Sequence, residues 1–320
     1  MTPVTSASTS PAPNPPAPTA ERSGGTGRPA LSHRLAERGI DRTLLLLLPG
    51  LVFLILLFIY PFVYGLGLSF QPMHGSGALY NYQKFFSDPY ERDTIWITLK
   101  IGLPAALINV LASVPIAYRL RGRVRGKRAL TTALVIPITL GTVLTAIGMI
   151  EYFSGTGWLN KILIALHITD IDHPVPLLHN YWGVMLSLLV SGFPFAFLLT
   201  LSYLSGIDPS LESAAATLGA GWWQRFRDIV FPLLAPGLAM TFCLNFVLAF
   251  SVFPSAVLLG DPERSTHVIS IAAYDAAYQE YDYSKASAIA MVMAAVMLIV
   301  ISIVLFARGR LYRGSSGGKG

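Results

Sequence analysis

The chain has 320 residues, of which 53% are hydrophobic and only 12% are charged, and its mean hydropathy is +0.57. Soluble domains carry about 25% charged residues, so this composition argues against a soluble enzyme and indicates a membrane protein. The single cysteine, Cys243, excludes an intrachain disulfide and a cysteine-cluster metal site.

Residues 1–42 are predicted to form a disordered tail. Residues 1–27 are rich in Pro, Ser, Thr and Ala and have almost no large apolar side chains. Such a segment cannot bury enough surface to offset the entropy lost on ordering. The tail is not a signal peptide, because the first apolar run begins near Leu44 and is too long for the apolar core of one.

Six long runs without Asp, Glu, Lys or Arg follow the tail. They cover residues 43–70, 101–118, 129–150, 181–204, 233–259 and 286–307. A membrane-spanning helix needs about 20 mostly apolar residues, and a charge at its centre costs roughly 3 kcal/mol. The sequence therefore predicts an all-α, polytopic membrane protein in which residues 43–307 form six transmembrane helices.

Basic residues are concentrated on one side of the predicted bundle. Most of the 23 Lys and Arg residues lie in the first tail, after the second and fourth spans, and in the C-terminal tail 308–320. The positive-inside rule therefore predicts that both tails are cytoplasmic. The net charge of +6 therefore indicates topology, with the basic runs on a solvated or membrane-lipid-facing surface, and no nucleic-acid partner is predicted.

The cytoplasmic loop 206–236, between the fourth and fifth spans, has the pattern of two helices joined at a glycine. Asp208 followed by Pro209 is a helix start, because Asp caps the free N–H groups and proline suits the first turn. Gly219 permits a sharp turn. Apolar residues lie at helical spacing on both sides of that glycine: Leu211, Ala214, Ala215 and Leu218, then Trp223, Phe226, Ile229 and Val230.

An exposed apolar loop of this kind needs a surface that receives it. The loop could pack against its own bundle or the lipid surface, or it could dock on a partner. Residues 211–220, with the proline-rich segment 232–237 after them, resemble the EAA loop of binding-protein-dependent ABC transporter permeases of the type I importer fold. In this sequence, Ser213 stands where that motif usually has glutamate, and Thr217 stands at a usual acidic position.

The resemblance implies that the loop is a coupling loop, which docks on a cytoplasmic ABC ATPase dimer. The residues it assigns to that contact are Glu212, Ala214, Ala215, Leu218, Gly219 and Ala220. It further implies a second homologous permease subunit, an extracytoplasmic solute-binding protein and a multi-pass location in the bacterial plasma (inner) membrane. The expected mechanism is alternating access.

No nucleotide, cofactor or metal site is predicted in the chain. The segment 314–319 has the wrong spacing for a phosphate-binding loop, so the chain is expected to be a transporter subunit that depends on a separate ATPase. Three outer-loop histidines, His167, His173 and His179, match no zinc-binding spacing.

Polar and aromatic residues in or beside the spans are the predicted lining of a solute pathway. The amide of Asn245 is the strongest member, because an amide in hydrocarbon needs a partner. Each hydroxyl could instead bond its own helix, and Asn245 could instead join two helices. The full set is Asn245, Thr241, Phe250, Phe253, Ser191, Thr142 and Glu151.

The solute is predicted from a resemblance in layout to spermidine and putrescine permeases. Residues 80–90, 253–260 and 283–290 are similar to that branch, and also to permeases for phosphonate, ferric iron and thiamine. A polyamine is therefore the first expectation. A membrane-embedded enzyme is disfavoured, because the spans contain no charged residue that could act as an acid or base. An ATP-independent secondary transporter or channel is the other alternative, although proton coupling usually needs an intramembrane Asp, Glu or His.

Overall fold

The computed structural model describes residues 42–122, 126–168, 170 and 175–312. The predicted tail 1–42 therefore lies outside these residues except for Arg42, and so does His173. The chain divides into two compact units, Met1–Tyr60 and Pro61–Gly320, which are described separately.

The described part of the first unit is helical and faces outward along its whole length. Helix α1 (Arg42–Leu54) is followed by a π-helical turn, Ile55–Ile59. Every side chain from residue 47 to 60 is exposed, although nearly all of them are apolar. A surface of this composition belongs against lipid rather than water.

The second unit is built from helices, and no strand occurs in the residues described. The helices are α2 (Tyr60–Ser69, which begins at the last residue of the first unit), α3 (Tyr80–Ser87), α4 (Pro89–Arg121), α5 (Lys127–Phe153), α6 (Trp158–Ala165), α7 (Tyr181–Ser205), α8 (Pro209–Thr217), α9 (Trp222–Arg225), α10 (Phe231–Phe250), α11 (Pro254–Leu259), α12 (Ile269–Tyr278) and α13 (Tyr283–Tyr312). A π-helical turn, Phe226–Val230, joins α9 to α10.

Within the described residues, six helices are long and apolar enough to cross a membrane, which confirms the predicted all-α fold. They cover Leu47–Ser69, Pro89–Arg121, Arg128–Ala165, Tyr181–Ser205, Trp222–Phe250 and Tyr283–Arg310. The second begins well before the charge-free run 101–118, because Asp88 caps it by accepting the N–H of Tyr90 at 2.9 Å. The last also continues beyond residue 307, so the predicted C-terminal tail begins as helix.

The predicted span 233–259 is interrupted in the structure. Helix α10 ends at Phe250, and α11 starts only at Pro254. Proline lacks a backbone N–H and disfavours a helical conformation at the residue before it, which is Phe253 here. Helix α5 also contains a break, at Gly141, whose φ of 72° suits glycine and few other residues.

Helices α4, α7 and α10 form the centre of the second unit, with α5 and α13 packed around them. Small residues bring these helices close together. Ala105 and Ala117 of α4 are fully buried, and a Cβ on Gly102 would lie only 3.2 Å from the backbone nitrogen of Phe250. Close backbone approach through small residues is the usual way in which helices pack in a membrane.

A buried ion pair joins the first turns of α4 and α13. The Lys285 ammonium lies 2.7 Å from Oε1 of Glu91, and both side chains are about one-tenth exposed or less. The ammonium also lies 2.8 Å from a carboxylate oxygen of Glu280, which is half exposed. Oε2 of Glu91 is buried and makes no hydrogen bond within the described residues. The Glu91 charge therefore depends on Lys285.

We expect Lys285→Met to lower the thermal stability of the purified chain in detergent. Removing one partner of a buried pair leaves the other charge uncompensated, at a cost of about 3 kcal/mol. Glu280→Gln is the matched control, because the loss of a half-exposed partner costs less than about 1 kcal/mol. Equal melting temperatures for the two variants would show that the buried pair has no special role.

Candidate functional site

A cavity of about 280 Å³ lies between α5, α7, α10 and the segment that leads into α11. Its polar lining consists of Thr142, Ser191, Asn245, Ser251 and Ser255, with Phe253 as an aromatic wall. Four of the seven predicted pathway residues, Thr142, Ser191, Asn245 and Phe253, therefore lie on one cavity.

Two helix breaks border this cavity. Thr142 follows the break at Gly141 in α5, and Ser251 and Phe253 belong to the break between α10 and α11. Irregular backbone at membrane depth is tolerated where it lines a cavity or is buried in protein. The breaks thus place polar groups beside an open volume.

Asn245 joins three helices while it lines the cavity. Its side chain is 1% exposed, and its Nδ2 donates to the carbonyl oxygen of Gly192 in α7 at 3.0 Å. Its Oδ1 accepts a hydrogen bond from Nδ2 of Asn109 in α4 at 3.1 Å. Asn109 Nδ2 also donates to the carbonyl oxygen of Leu188 in α7 at 3.1 Å. We call Asn109, Asn245 and Gly192 the amide node.

Asn109 is absent from the set predicted from sequence, although a signal for it exists. Asn109 and Asn245 are the two asparagines in the six predicted spans. An amide in hydrocarbon requires a partner, so each of them could satisfy the other. Sequence alone does not show that α4 and α10 bring the two side chains together.

Two hydroxyl groups of the cavity are bonded to their own helices, whereas that of Ser255 pairs with the hydroxyl of Ser187 in α7 at 2.8 Å. Ser191 donates to the carbonyl of Ser187 at 2.7 Å, and Ser251 donates to that of Val247 at 2.8 Å. A hydroxyl bonded in this way keeps its lone pairs, so it can still accept a hydrogen bond from a solute.

Three predicted pathway residues lie away from the cavity. Thr241 is fully buried and donates to the carbonyl of Gly237 at 2.9 Å. Phe250 is fully buried against Phe246, with ring centroids 5.3 Å apart. Glu151 is exposed near the end of α5.

The predicted coupling loop, residues 206–236, folds as its sequence pattern predicts. The Asp208 carboxylate accepts the N–H of Ser210 at 2.8 Å at the start of α8, and this bond lowers the pKa of the carboxyl. Gly219 has a φ of +87°, and the N–H of Ala220 reaches back to the carbonyl of Ala215 at 3.0 Å. Helix α8, a glycine turn and a second helix are thereby confirmed.

The six residues assigned to ATPase docking divide into two groups. Ala214, Leu218 and Gly219 are exposed, and Leu218 keeps 88% of its surface open. Glu212, Ala215 and Ala220 are half-buried. The Glu212 carboxylate faces α4, where Oε2 accepts the hydroxyl of Tyr118 at 2.7 Å and Oε1 lies 2.9 Å from Nη1 of Arg121.

In a comparison with known proteins, one family match covers both the amides beside the cavity and the loop. The family described as binding-protein-dependent transport system inner membrane component matches residues 105–312, which include the amide node and the coupling loop. The probable sulfate transport system permease protein cysT of Prototheca wickerhamii is 28% identical over 218 residues, which cover 68% of this chain and 83% of that protein.

Two further similarities extend over more of the chain. The sn-glycerol-3-phosphate transport system permease protein UgpA of Shigella flexneri is 28% identical, over 82% of this chain and 92% of its own length. A crystal structure of a bacterial alginate ABC transporter, in complex with an alginate pentasaccharide-bound periplasmic protein, contains a chain with a TM-score of 0.73. That chain is 22% identical, and the match covers 90% of this chain and 99% of that one.

We expect Gly192→Ala to destabilise the bundle, because the new Cβ would lie 2.5 Å from Nδ2 of Asn109 and 3.1 Å from Oδ1 of Asn245. Overpacking of this kind costs about 1–3 kcal/mol and would displace the amide node. Gly148→Ala in α5 is the matched control, because a Cβ there has no atom within 4 Å. Thermal unfolding in detergent measures the difference, and equal stability of the two variants would contradict the tight packing.

Proposed function

This chain belongs to the family of binding-protein-dependent transport system inner membrane components, and we propose that it conducts a small, sugar-like solute across the membrane. In this proposal the solute passes the cavity between α5, α7 and α10. The observation that carries the proposal is the convergence of hydroxyl, amide and aromatic side chains on that cavity, in a bundle that also carries an exposed coupling loop.

The chemistry of the lining favours a neutral, polyhydroxylated solute. Hydroxyl and amide groups donate and accept hydrogen bonds, and the ring of Phe253 offers an apolar face. No residue of the lining is charged within the part of the chain described. Binding pockets range from about 300 to 1,000 Å³, so a cavity of 280 Å³ fits a small solute.

The polyamine expectation has little support in this arrangement. A polyamine is a multiple cation, and burying such charges requires partner carboxylates. Glu151, the acidic member of the predicted pathway, lies away from the cavity. The relatives and the structure named above concern sulfate, glycerol-3-phosphate and alginate, not polyamines.

The coupling loop supports the proposal that a separate ATPase drives transport. Leu218 is a large apolar residue at the tip of the loop and is 88% exposed, and apolar surface exposed in this way is suited to contact with another protein. We assign it to docking on an ABC ATPase dimer in the cytoplasm, which places both termini of the chain there. An extracytoplasmic binding protein would deliver the solute from the other side. A second permease subunit would complete the pathway.

The proposal is tested with the chain purified together with its ATPase, companion permease and binding protein in lipid. ATP hydrolysis is measured with glucose, maltose, glycerol-3-phosphate, sulfate and spermidine. We expect stimulation by a sugar. Stimulation by sulfate or glycerol-3-phosphate alone would show that the transported solute is an anion and not a sugar. Stimulation by spermidine would show that it is a polyamine. Solute flux that needs no ATP would instead indicate a secondary transporter or channel.

We expect Gly219→Val to abolish solute-stimulated ATP hydrolysis while the chain still inserts into the membrane. A β-branched residue at a φ of +87° is strained by about 1–3 kcal/mol, so the turn between α8 and α9 would change shape. Gly221→Ala is the matched control, since its φ is −66° and a Cβ would lie 3.8 Å from its nearest neighbour. Normal stimulation in Gly219→Val would remove this turn from the coupling mechanism.

A further inference from the structure

The coupling loop contacts the end of α4 through a charged side chain whose role the sequence does not reveal. We propose that Glu212 is a positioning residue, a latch that makes α8 and α4 move as one body. The latch consists of Glu212, Tyr118 and Arg121. This inference rests on the proposed function, because it concerns how movement enters the bundle from the ATPase.

Both oxygens of the Glu212 carboxylate are engaged with α4. Oε2 accepts the hydroxyl of Tyr118 at 2.7 Å, and Oε1 lies 2.9 Å from Nη1 of Arg121. The side chains of Arg121 and Glu212 are 13% and 15% exposed. The Tyr118 hydroxyl donates to an ionised carboxylate, and such hydrogen bonds are stronger than those between neutral groups. The Arg121 contact is an ion pair, since its buried Nη1 makes no hydrogen bond within the described residues, and a pair with this burial is less screened than a surface ion pair.

The helical segment that follows the glycine turn of the coupling loop also contacts Tyr118. The ring of Tyr118 lies edge-on to the rings of Phe226 and Trp222, with centroids 5.2 Å and 6.2 Å away. Tyr118 thus contacts α8 before the glycine turn and the helical segment after it. A displacement of the tip of the loop would therefore be transmitted to α4 through both helical segments of the loop.

The direction of the Glu212 side chain favours a positioning role for this residue over direct docking on the ATPase. The family resemblance places Glu212 in the ATPase contact, yet its carboxylate is directed to α4 and half-buried. Ser213, at the usual position of the motif glutamate, is exposed and donates only to the carbonyl of Pro209 of its own helix, at 3.2 Å. The exposed surface of the loop is thus supplied by other residues, including Leu218.

Through the latch, movement of the ATPase can be transmitted to the cavity by side-chain contacts as well as along the covalent chain. Helices α7 and α10 are connected covalently to the coupling loop, whereas α4 meets it through side chains. Tyr118 and Asn109 lie on the same helix, nine residues or about 13 Å apart along its axis. Asn109 in turn bonds Asn245, which lines the cavity.

The test measures whether α4 follows α8 when the ATPase closes. Nitroxide labels are placed at the exposed positions Ser210 of α8 and Ile116 of α4, after replacement of the buried Cys243 by alanine. Distances are recorded in the lipid-reconstituted complex without nucleotide and after trapping with ATP and vanadate. We expect the same α4–α8 distance in both states for the wild-type loop.

Removal of the ion pair should uncouple the two helices without releasing the ATPase. Glu212→Gln and Arg121→Gln are expected to show an α4–α8 distance that changes on trapping, with undiminished co-purification of the ATPase. The exchange Glu212→Arg with Arg121→Glu should restore the constant distance. Arg92→Gln is the matched control, because it removes a half-exposed arginine from the opposite end of the same helix.

Two results would overturn the latch. One is a constant distance in Glu212→Gln, which would show that α4 follows α8 without the ion pair. The other is loss of ATPase co-purification in Glu212→Gln that the exchange does not restore, which would make Glu212 a docking residue. If the wild-type chain itself binds no ATPase, the proposed function fails, and that outcome is distinct from both. Tyr118→Phe removes only the hydroxyl and serves where a charge variant does not fold.

Discussion

Hydrocarbon cannot form hydrogen bonds with a backbone, and the rest of this structure depends on that constraint. Each span must satisfy its own N–H and C=O groups, and the described part of the chain accordingly contains six helices long and apolar enough to cross a membrane. The two breaks in these helices, at Gly141 and between α10 and α11, border the same cavity. These two breaks, unlike the π-helical turns Ile55–Ile59 and Phe226–Val230, therefore place polar groups beside the cavity.

The same constraint explains why so few polar side chains organise the bundle. Asn109 and Asn245 bond each other and carbonyl groups of α7, so each amide removes a cost that the other would carry alone. Gly192 leaves room for these bonds, because a Cβ there would meet both asparagine side chains. In this member of the permease family, the close helix packing and the buried polar contacts therefore occur at the same place, beside the cavity.

Helix α4 connects the cavity with the loop that is proposed to couple to the ATPase. One end of the helix is paired with the coupling loop through Tyr118 and Arg121, and its middle carries Asn109. Its other end is joined to α13 through Glu91 and Lys285. In the proposed mechanism, α4 therefore links the loop that contacts the ATPase to the cavity that takes the solute.

The amino-acid sequence by itself determined the six spans, the coupling loop with its turn at Gly219, and the family. These features are local: they depend on long apolar runs, on helix caps and on one glycine. Tertiary structure decided which residues share the cavity, so that Asn245 and Ser191 meet there while Phe250 and Thr241 are packed elsewhere. It also decided that Glu212 pairs with Arg121, because contacts between residues about 90 positions apart depend on how helices pack rather than on sequence spacing.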